Sequence, residues 1–319
     1  MSLSYRPKLT SFNGHSWTTP QELPFTIYPG GCGLTTFTDR AGHEVLFCTY
    51  IDPQTKQFSW ASSDNGTQWL LGGTDPNHKA GGVISARYTG NQIVSISGSG
   101  PLITTATRWT VSTDGNHWTT PKPPGQHVFP AWTSLTEYDG HLVHSFVARS
   151  DNAQHSVYDG IEWSAPGTTI PPLHEAAGKI PGVIGFGGLL YHMTKNEKAD
   201  GISYWTFDGE GWSGRQELPT SQWQVRSQPR LGVYHDQLVC TFNTSRNDTH
   251  CLSWTQYDSN TRTWSPVQQA SHAFNTLGAA QLTYWHTRLY AVLTPLMIAN
   301  SESPAGETVP GTVPQSPAS

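Results

Sequence analysis

Long apolar runs are missing from this sequence. Nothing approaches the roughly 18 consecutive apolar residues that a membrane-spanning helix needs, so insertion into a membrane is not expected. Helical stripes are missing too, because no stretch of about 10 residues repeats its apolar positions with a helical period. Charge is scarce: 13% of the residues are charged, with a formal net charge of −5 and a pI near 6.2. Lysine and arginine form no cluster, which argues against nucleic acid, since a phosphate-binding surface needs one. The opening stretch MSLSYRPKLTSF lacks the apolar core of a secretory signal. The expected location is therefore the cytoplasm, or outside it by release without a classical signal peptide. The sequons at Asn65, Asn243 and Asn247 carry little weight without an export signal.

Cysteine is also sparse, and its four residues show no CxxC spacing, so neither a zinc site nor any other metal centre is expected. They fall in two local pairs, Cys32 with Cys48 and Cys240 with Cys251, each flanking a turn. Two readings are open for them: buried thiols of a reducing compartment, or cross-strand disulfides of an exported protein. A nucleophile elbow, a phosphate-cradling glycine loop and an HExxH helix are all absent, and no cofactor is expected.

What the sequence has is tryptophan, glycine and proline: 13 Trp, 31 Gly and 23 Pro. Many turns and many large anchors suit short strands. A turn followed by Trp recurs as FNGHSW, SSDNGTQW, STDGNHW, YDGIEW, FDGEGW and YDSNTRTW, ending at Trp17, Trp69, Trp118, Trp163, Trp212 and Trp264. The spacing is 45 to 52 residues. Asn-Gly and Asp-Gly supply the positive φ angles of tight hairpins, and the following indole can wedge between sheets. A second hairpin recurs with the same period at 34–47, 83–96, 134–146, 183–193, 231–242 and 282–293. Four strands per unit of about 50 residues is the size of a propeller blade.

The chain has only the first hairpin of a unit after Trp264 and only the second before Leu23. Five whole units and two halves predict an all-β, six-bladed β-propeller over 1–300, its ring closed by N- and C-terminal hairpins in one shared blade. The residues at 301–319 are rich in Pro, Ser, Thr and Gly and read as a disordered tail.

Ser62, Asp64, Gly66 and Trp69 resemble the Asp-box hairpin of sialidases and other propellers, and Ser112, Asp114, Gly115 and Trp118 resemble a shorter version of it. The order of turn, Trp, Ser or Thr, His-containing connection and apolar strand is similar to bacterial and fungal sugar-binding propellers. In organisation it resembles the fucose-binding six- and seven-bladed lectins. The resemblance implies the fold, and it implies glycans or glycoconjugates as partners.

Three sets of residues are candidate ligand contacts. The first is a His or aromatic in the connection leading into each blade: Tyr28, His78, His127, His174, Trp223 and His272. Such a ring could hydrogen-bond sugar hydroxyls and stack on sugar C–H faces, or could tie each loop to its neighbour. The second is Trp60, Trp109, Trp205 and Trp254, which could be a stacking platform or packing between blades. The third lies in SQWQVRSQPR of blade five, where Trp223, Arg226 and Arg230 depart from the repeat. Trp132 and Trp285 also lie outside the turn-Trp series, while His144, His192, Cys240 and Ala291 share a strand position that reads as core filling. A sialidase-like hydrolase would need converging arginines. Arg87, Arg108, Arg149, Arg226 and Arg230 occupy different phases of the repeat, and Tyr5-Arg6-Pro7 only faintly resembles a sialidase N-terminal motif. The leading reading is a non-enzymatic, lectin-like propeller with multivalent sites between blades. A sialidase-like glycoside hydrolase and a protein-interaction platform are the alternatives.

Overall fold

Every blade begins with a hairpin whose turn chemistry was visible in the sequence, and the blades close into a ring. The computed structural model describes residues 4–28, 31–39, 41–81, 84–98, 107–123, 133–147, 153–167, 181–196, 200–220, 222–246, 249–273 and 281–294. The chain starts with β1 (Lys8–Phe12) and β2 (Gln21–Glu22). Blade 1 follows with β3 (Cys32–Thr38), β4 (Glu44–Ile51), β5 (Gln57–Ser63) and β6 (Leu70–Lys79). Blade 2 contains β7 (Ile84–Thr89), β8 (Gln92–Gly98) and β9 (Thr107–Ser112). Blade 3 contains β10 (Thr133–Tyr138), β11 (His141–Val147) and β12 (Ala153–Tyr158). Blade 4 contains β13 (Gly182–Phe186), β14 (Leu189–Lys195), β15 (Ile202–Phe207) and β16 (Gln216–Glu217).

Blade 5 is longer, with β17 (Gln224–Val225), β18 (Arg230–Tyr234), β19 (Gln237–Arg246), β20 (Thr249–Asp258), β21 (Thr263–Trp264) and β22 (Gln268–Ala273). Its inner strand is split into β17 and β18, which both pair with β19, and its outer strand into β21 and β22, which both pair with β20. The last strands, β23 (Gln281–Trp285) and β24 (Arg288–Leu293), join β1 and β2 in a sheet ordered β2-β1-β24-β23. The chain is therefore a six-bladed β-propeller, with one blade shared by both ends of the described chain. The boundary expected after residue 300 and the tail at 301–319 lie outside the described residues.

The inner strands β3, β7, β10, β13, β18 and β23 touch in that order, and β23 returns to β3. Side chains are trimmed where these strands converge. A Cβ at Gly33 would lie 2.7 Å from the Ala86 amide, and one at Gly232 would press on Leu282 and Leu289 of the next blade. Hydroxyls tie neighbouring inner strands together: the Tyr88 amide donates to Thr35 Oγ1, Leu135 N to Ser85 Oγ and Gly185 N to Thr136 Oγ1.

The turn before each repeated Trp is clamped by an Asx carbonyl oxygen that accepts two backbone amides, an arrangement that mimics a backbone turn. Asn13, Asn65, Asp114, Asp159, Asp208 and Asp258 all do so. In blade 1 the clamp differs from the sequence expectation. Asn65 rather than Asp64 accepts the amides, and Ser63 rather than Ser62 takes the Gly66 amide, at 2.9 Å. Strand alternation is the reason, since it buries Ser63 and aims it back into the turn. Ser112 and Asp114 of blade 2 act in the same way.

Each turn Trp packs against the preceding blade. Trp118 lies 4.8 Å from Phe58 and 5.8 Å from Trp60, Trp17 sits 6.4 Å from Trp254, and Trp264 sits 5.9 Å from Tyr204. Trp69 lies edge-on to Phe25 of the shared blade. In blades 1, 4 and 5 a strand-three aromatic (Trp60, Tyr204 and Trp254) receives the next blade's turn Trp.

The cysteine pairs resolve differently. Leu34 pairs with Cys48 and Cys32 with Tyr50, so Cys32 and Cys48 stand diagonally on one face of the hairpin as thiols. Burial, with the hydrogen-bonded Cys32 beside it, pushes the Cys48 thiol well up. Cys240 faces Thr255 while Cys251 faces Thr244, an offset of four positions. At about 3.3 Å per strand residue that separation is roughly 13 Å, far beyond disulfide reach, so these two do not bridge.

Closure should be testable by deletion of β1's contribution. Phe12 is fully buried at the junction with Trp17, Tyr234 and Trp254. Phe12→Ala is expected to cost about 3–5 kcal/mol in urea unfolding, and removal of residues 1–17 to abolish the cooperative melt. A deletion variant that still melts cooperatively near the parent temperature would contradict closure.

Candidate functional site

One turn breaks the pattern of the others. The first hairpin of blades 2 to 6 closes through two residues, as at Asp139–Gly140 and Gly187–Gly188, whereas blade 1 uses a longer turn from Asp39 to His43. Asp39 Oδ1 clamps the amides of Ala41 and His43. This longer turn stands at the mouth of a cleft of about 600 Å³ between blades 1 and 2, to which His286 of the shared blade adds an edge. That size is typical of a small-ligand pocket.

The floor is aromatic, made by Phe37, Phe47 and Trp60. Gly72 and Gly73 of β6 run over the Trp60 indole, and a Cβ at Gly72 would collide with it. The rim carries Asp39, Glu44, Asp64 and Asp114. Their roles differ. Burial alone would raise the Asp114 pKa, but the hydrogen bonds from the His117 amide and ring and from the Asn116 amide pull it well below the usual carboxylate range. Asp114 is thus a turn clamp that stays ionised. The Glu44 and Asp64 carboxylates accept no hydrogen bond from described residues and are available to a ligand. Leu70 lies at the edge of the cleft, 75% exposed.

The sequence candidates are dispersed by the structure. His78 is not in a connection: it lies on β6, because this outer strand runs on to Lys79, and it is buried with Nε2 2.7 Å from Ser97 Oγ and its ring stacked on Phe58. His272 likewise sits on β22. The Tyr28 ring is covered by the Lys56 ammonium at 3.7 Å. Trp223 is half-buried, and its amide donates to Thr220 O. His127, His174, Arg149 and Trp132 lie outside the described residues.

Trp109 and Trp254 are buried in blade junctions, and neither lines the cleft. Trp205 belongs to a different position from the other three. It pairs with His192, whereas Thr255 pairs with Cys240, and the one-residue shift turns its indole to the opposite face of the strand. Tyr204 takes the junction role in blade 4 instead. Of that set, only Trp60 lines the cleft. Arg226 is exposed and bonded to Gln224, while Arg230 lies on the inner strand β18. Arg87 and Arg108 belong to blade 2, on the far side of the ring from these two, so the described arginines do not converge.

Sequence reasoning missed Asp39, His43, Glu44 and His286. The signal for the first three was the lengthened first hairpin of blade 1. No such signal marked His286.

No protein-family model matches the chain, and no curated protein sequence matches it. Solved structures do. The six-bladed fucose-recognising lectin of Aleuria aurantia superposes with a TM-score of 0.59 at 15% identity, covering 80% of this chain and 84% of that one. This chain has the six-bladed propeller fold of that lectin. A mutant of AofleA from Arthrobotrys oligospora gives a TM-score of 0.60 at 11% identity, covering 92% of this chain and 91% of that chain. An exo-β-1,3-galactanase from Phanerochaete chrysosporium gives 0.52 at 10% identity, covering 81% and 66%. At these identities the likeness establishes the fold.

The buried histidines make a pH prediction. Burial pushes His144 and His192 down to about 3, with His155 adding to the shift at His192. Burial likewise pushes His78 to about 4, opposed by Asp75 and aided by Arg108. In the unfolded chain an imidazole titrates near 6.5. Below that pH the unfolded chain takes up protons that the native state refuses. Stability is therefore complete above pH 6.5 and falls as the pH drops towards 3, by up to about 1.4 kcal/mol per pH unit for each group. Replacing His144 and His192 together with Leu is expected to flatten the loss between pH 6.5 and 4.5 in urea titrations. An unchanged acid slope would contradict the assignment.

Proposed function

We propose that the protein is a non-enzymatic, lectin-like carbohydrate-binding propeller that takes a neutral sugar in the cleft between blades 1 and 2. The observation that carries this reading is a cleft of small-ligand size, backed by buried aromatic residues, with the free carboxylates of Glu44 and Asp64 at its rim. A sugar's hydroxyls donate to ionised acceptors, which form the stronger class of hydrogen bond, while the buried aromatic residues below give the cleft a rigid apolar base. Four carboxylates at one mouth also repel anionic sugars such as sialic or uronic acids. His43 and His286 supply donors for the ring and hydroxyl oxygens.

The similar fold of the fucose-recognising Aleuria aurantia lectin supports a carbohydrate ligand in general. Shallow sites of this kind bind weakly one at a time, and further sites between blades would raise avidity through multivalency. The hydrolase reading gains nothing from the described arginines, which are spread round the ring.

A glycan array tests the proposal, with neutral glycans expected to bind and sialylated or uronic glycans not to. For the best glycan, Glu44→Gln and Asp64→Asn are each expected to weaken binding about tenfold, or about 1.4 kcal/mol, with unchanged melting temperature. Binding that survives both substitutions, or a preference for anionic glycans, would sink the cleft assignment.

A further inference from the structure

The mouth of the cleft between blades 1 and 2 carries more negative charge than the hydroxyls of a sugar require. Asp39, Glu44, Asp64 and Asp114 all line it, and among the described residues no lysine or arginine does. Arg40, in the same turn as Asp39, lies outside the described residues. The whole chain has a formal net charge of only −5, so most of an equivalent charge is gathered at one opening. The described lining residues that can balance it are His43 and His286. His43 Nδ1 stands 3.7 Å from Asp39 Oδ2, and the exposed His117 ring bonds Asp114 Oδ2 at 2.8 Å.

The charge is spread around the mouth, not focused on one point. Among the described residues, no group of three or more His, Cys, Asp or Glu side chains could hold a metal ion. A cation carried on an extended molecule suits such a field better than a bare ion. An ammonium group on a sugar has a full charge and three N–H donors, and charge-assisted bonds to carboxylates are the stronger class. A cleft lined by one sign of charge also concentrates the opposite sign at its opening.

We propose that the cleft prefers an amino sugar whose amine is unacetylated and protonated, over the same sugar carrying a hydroxyl or an acetamido group at that carbon. The proposal rests on the carbohydrate reading of the cleft and adds the ligand's charge to it: a neutral sugar is accepted, and its amino counterpart is held more tightly.

Calorimetric titration of the full chain tests this with matched methyl glycosides of the gluco and galacto series, each as 2-amino, 2-acetamido and 2-hydroxy forms. At pH 7 and low ionic strength the amine is expected to bind at least fivefold more tightly than either neutral form. Strong salt is expected to erode that advantage, because charges at an exposed mouth are screened. The advantage is also expected to vanish at pH 9.5, since amines of this kind, like α-amino groups, lose their proton near about 7.7–8.0. The same rise in pH can only strip positive charge from the imidazoles at the mouth, which by itself would strengthen a cation, so the loss belongs to the amine. Asp39→Asn separates charge from structure, because Asn13 and Asn65 clamp their own turns through the same carbonyl oxygen. This variant is expected to melt with the wild type, to weaken the amine at least twofold and to leave the hydroxyl form unchanged.

Equal binding of the three forms overturns the preference and leaves the carbohydrate reading standing. So does an amine advantage that survives both salt and pH 9.5, or an Asp39→Asn variant that weakens all three forms alike. Ethanolamine, a cation without a sugar ring, is expected to compete at least tenfold more weakly than the amino sugar. Equal competition by ethanolamine, or no binding by any form, would overturn the carbohydrate reading and the preference together.

Discussion

Five residue pairs, from Lys8 with Leu293 to Phe12 with Leu289, join β1 to β24 and turn a row of blades into a ring. Without that ladder the shared blade would keep only β23 and β24, and β24 would expose a row of unpaired backbone groups. The closing contact joins segments about 280 residues apart, so its chain entropy is spent before any local contact offsets it. Stability therefore depends on all six junctions forming together, and long-range pairing of this kind folds slowly.

The junctions share one solution. A turn clamped by an Asx carbonyl presents a Trp to the preceding blade, where a strand-three aromatic receives it in blades 1, 4 and 5, as Trp60 receives Trp118 and Tyr204 receives Trp264. Blade 3 departs from this. His155 occupies the receiving position and lies 6.0 Å from Phe207, while Trp212 meets His192 instead. Offset and edge-on ring contacts add modestly to the area buried, so the ring is held by many similar contributions.

Fold was legible because its determinants are local and repeated. Asn-Gly and Asp-Gly turns, the spaced Trp residues and the incomplete units at either end each constrain the backbone where they stand. The site was not legible in the same way. Glu44 and Asp114 lie 70 residues apart and face each other only because adjacent blades pack. The positions of His78 and Trp205 depended on strand length and register, where a shift of one residue reverses the face. Departure from the repeat pointed first to blade 5. The cleft lies instead at the lengthened Asp39–His43 turn of blade 1, and Arg230 of blade 5 sits on the inner strand, bonded to Pro181 O of blade 4.

Charge is distributed in the same economical manner. Few charged residues are present, and four carboxylates, of Asp39, Glu44, Asp64 and Asp114, gather at the cleft mouth. Elsewhere hydroxyls serve the backbone, as when Thr10 and Thr110 donate to the carbonyls of Thr18 and Thr119 at 2.6 Å. All of this rests on closure, which native-state hydrogen exchange can measure directly. The amides of β1 and β24 are predicted to exchange with the same free energy as the inner strands of blades 2 to 4, through global unfolding only. Exchange of the β1 amides at a free energy several kcal/mol lower, with the other blades still protected, would show that the ring stands without its shared blade and would contradict the account.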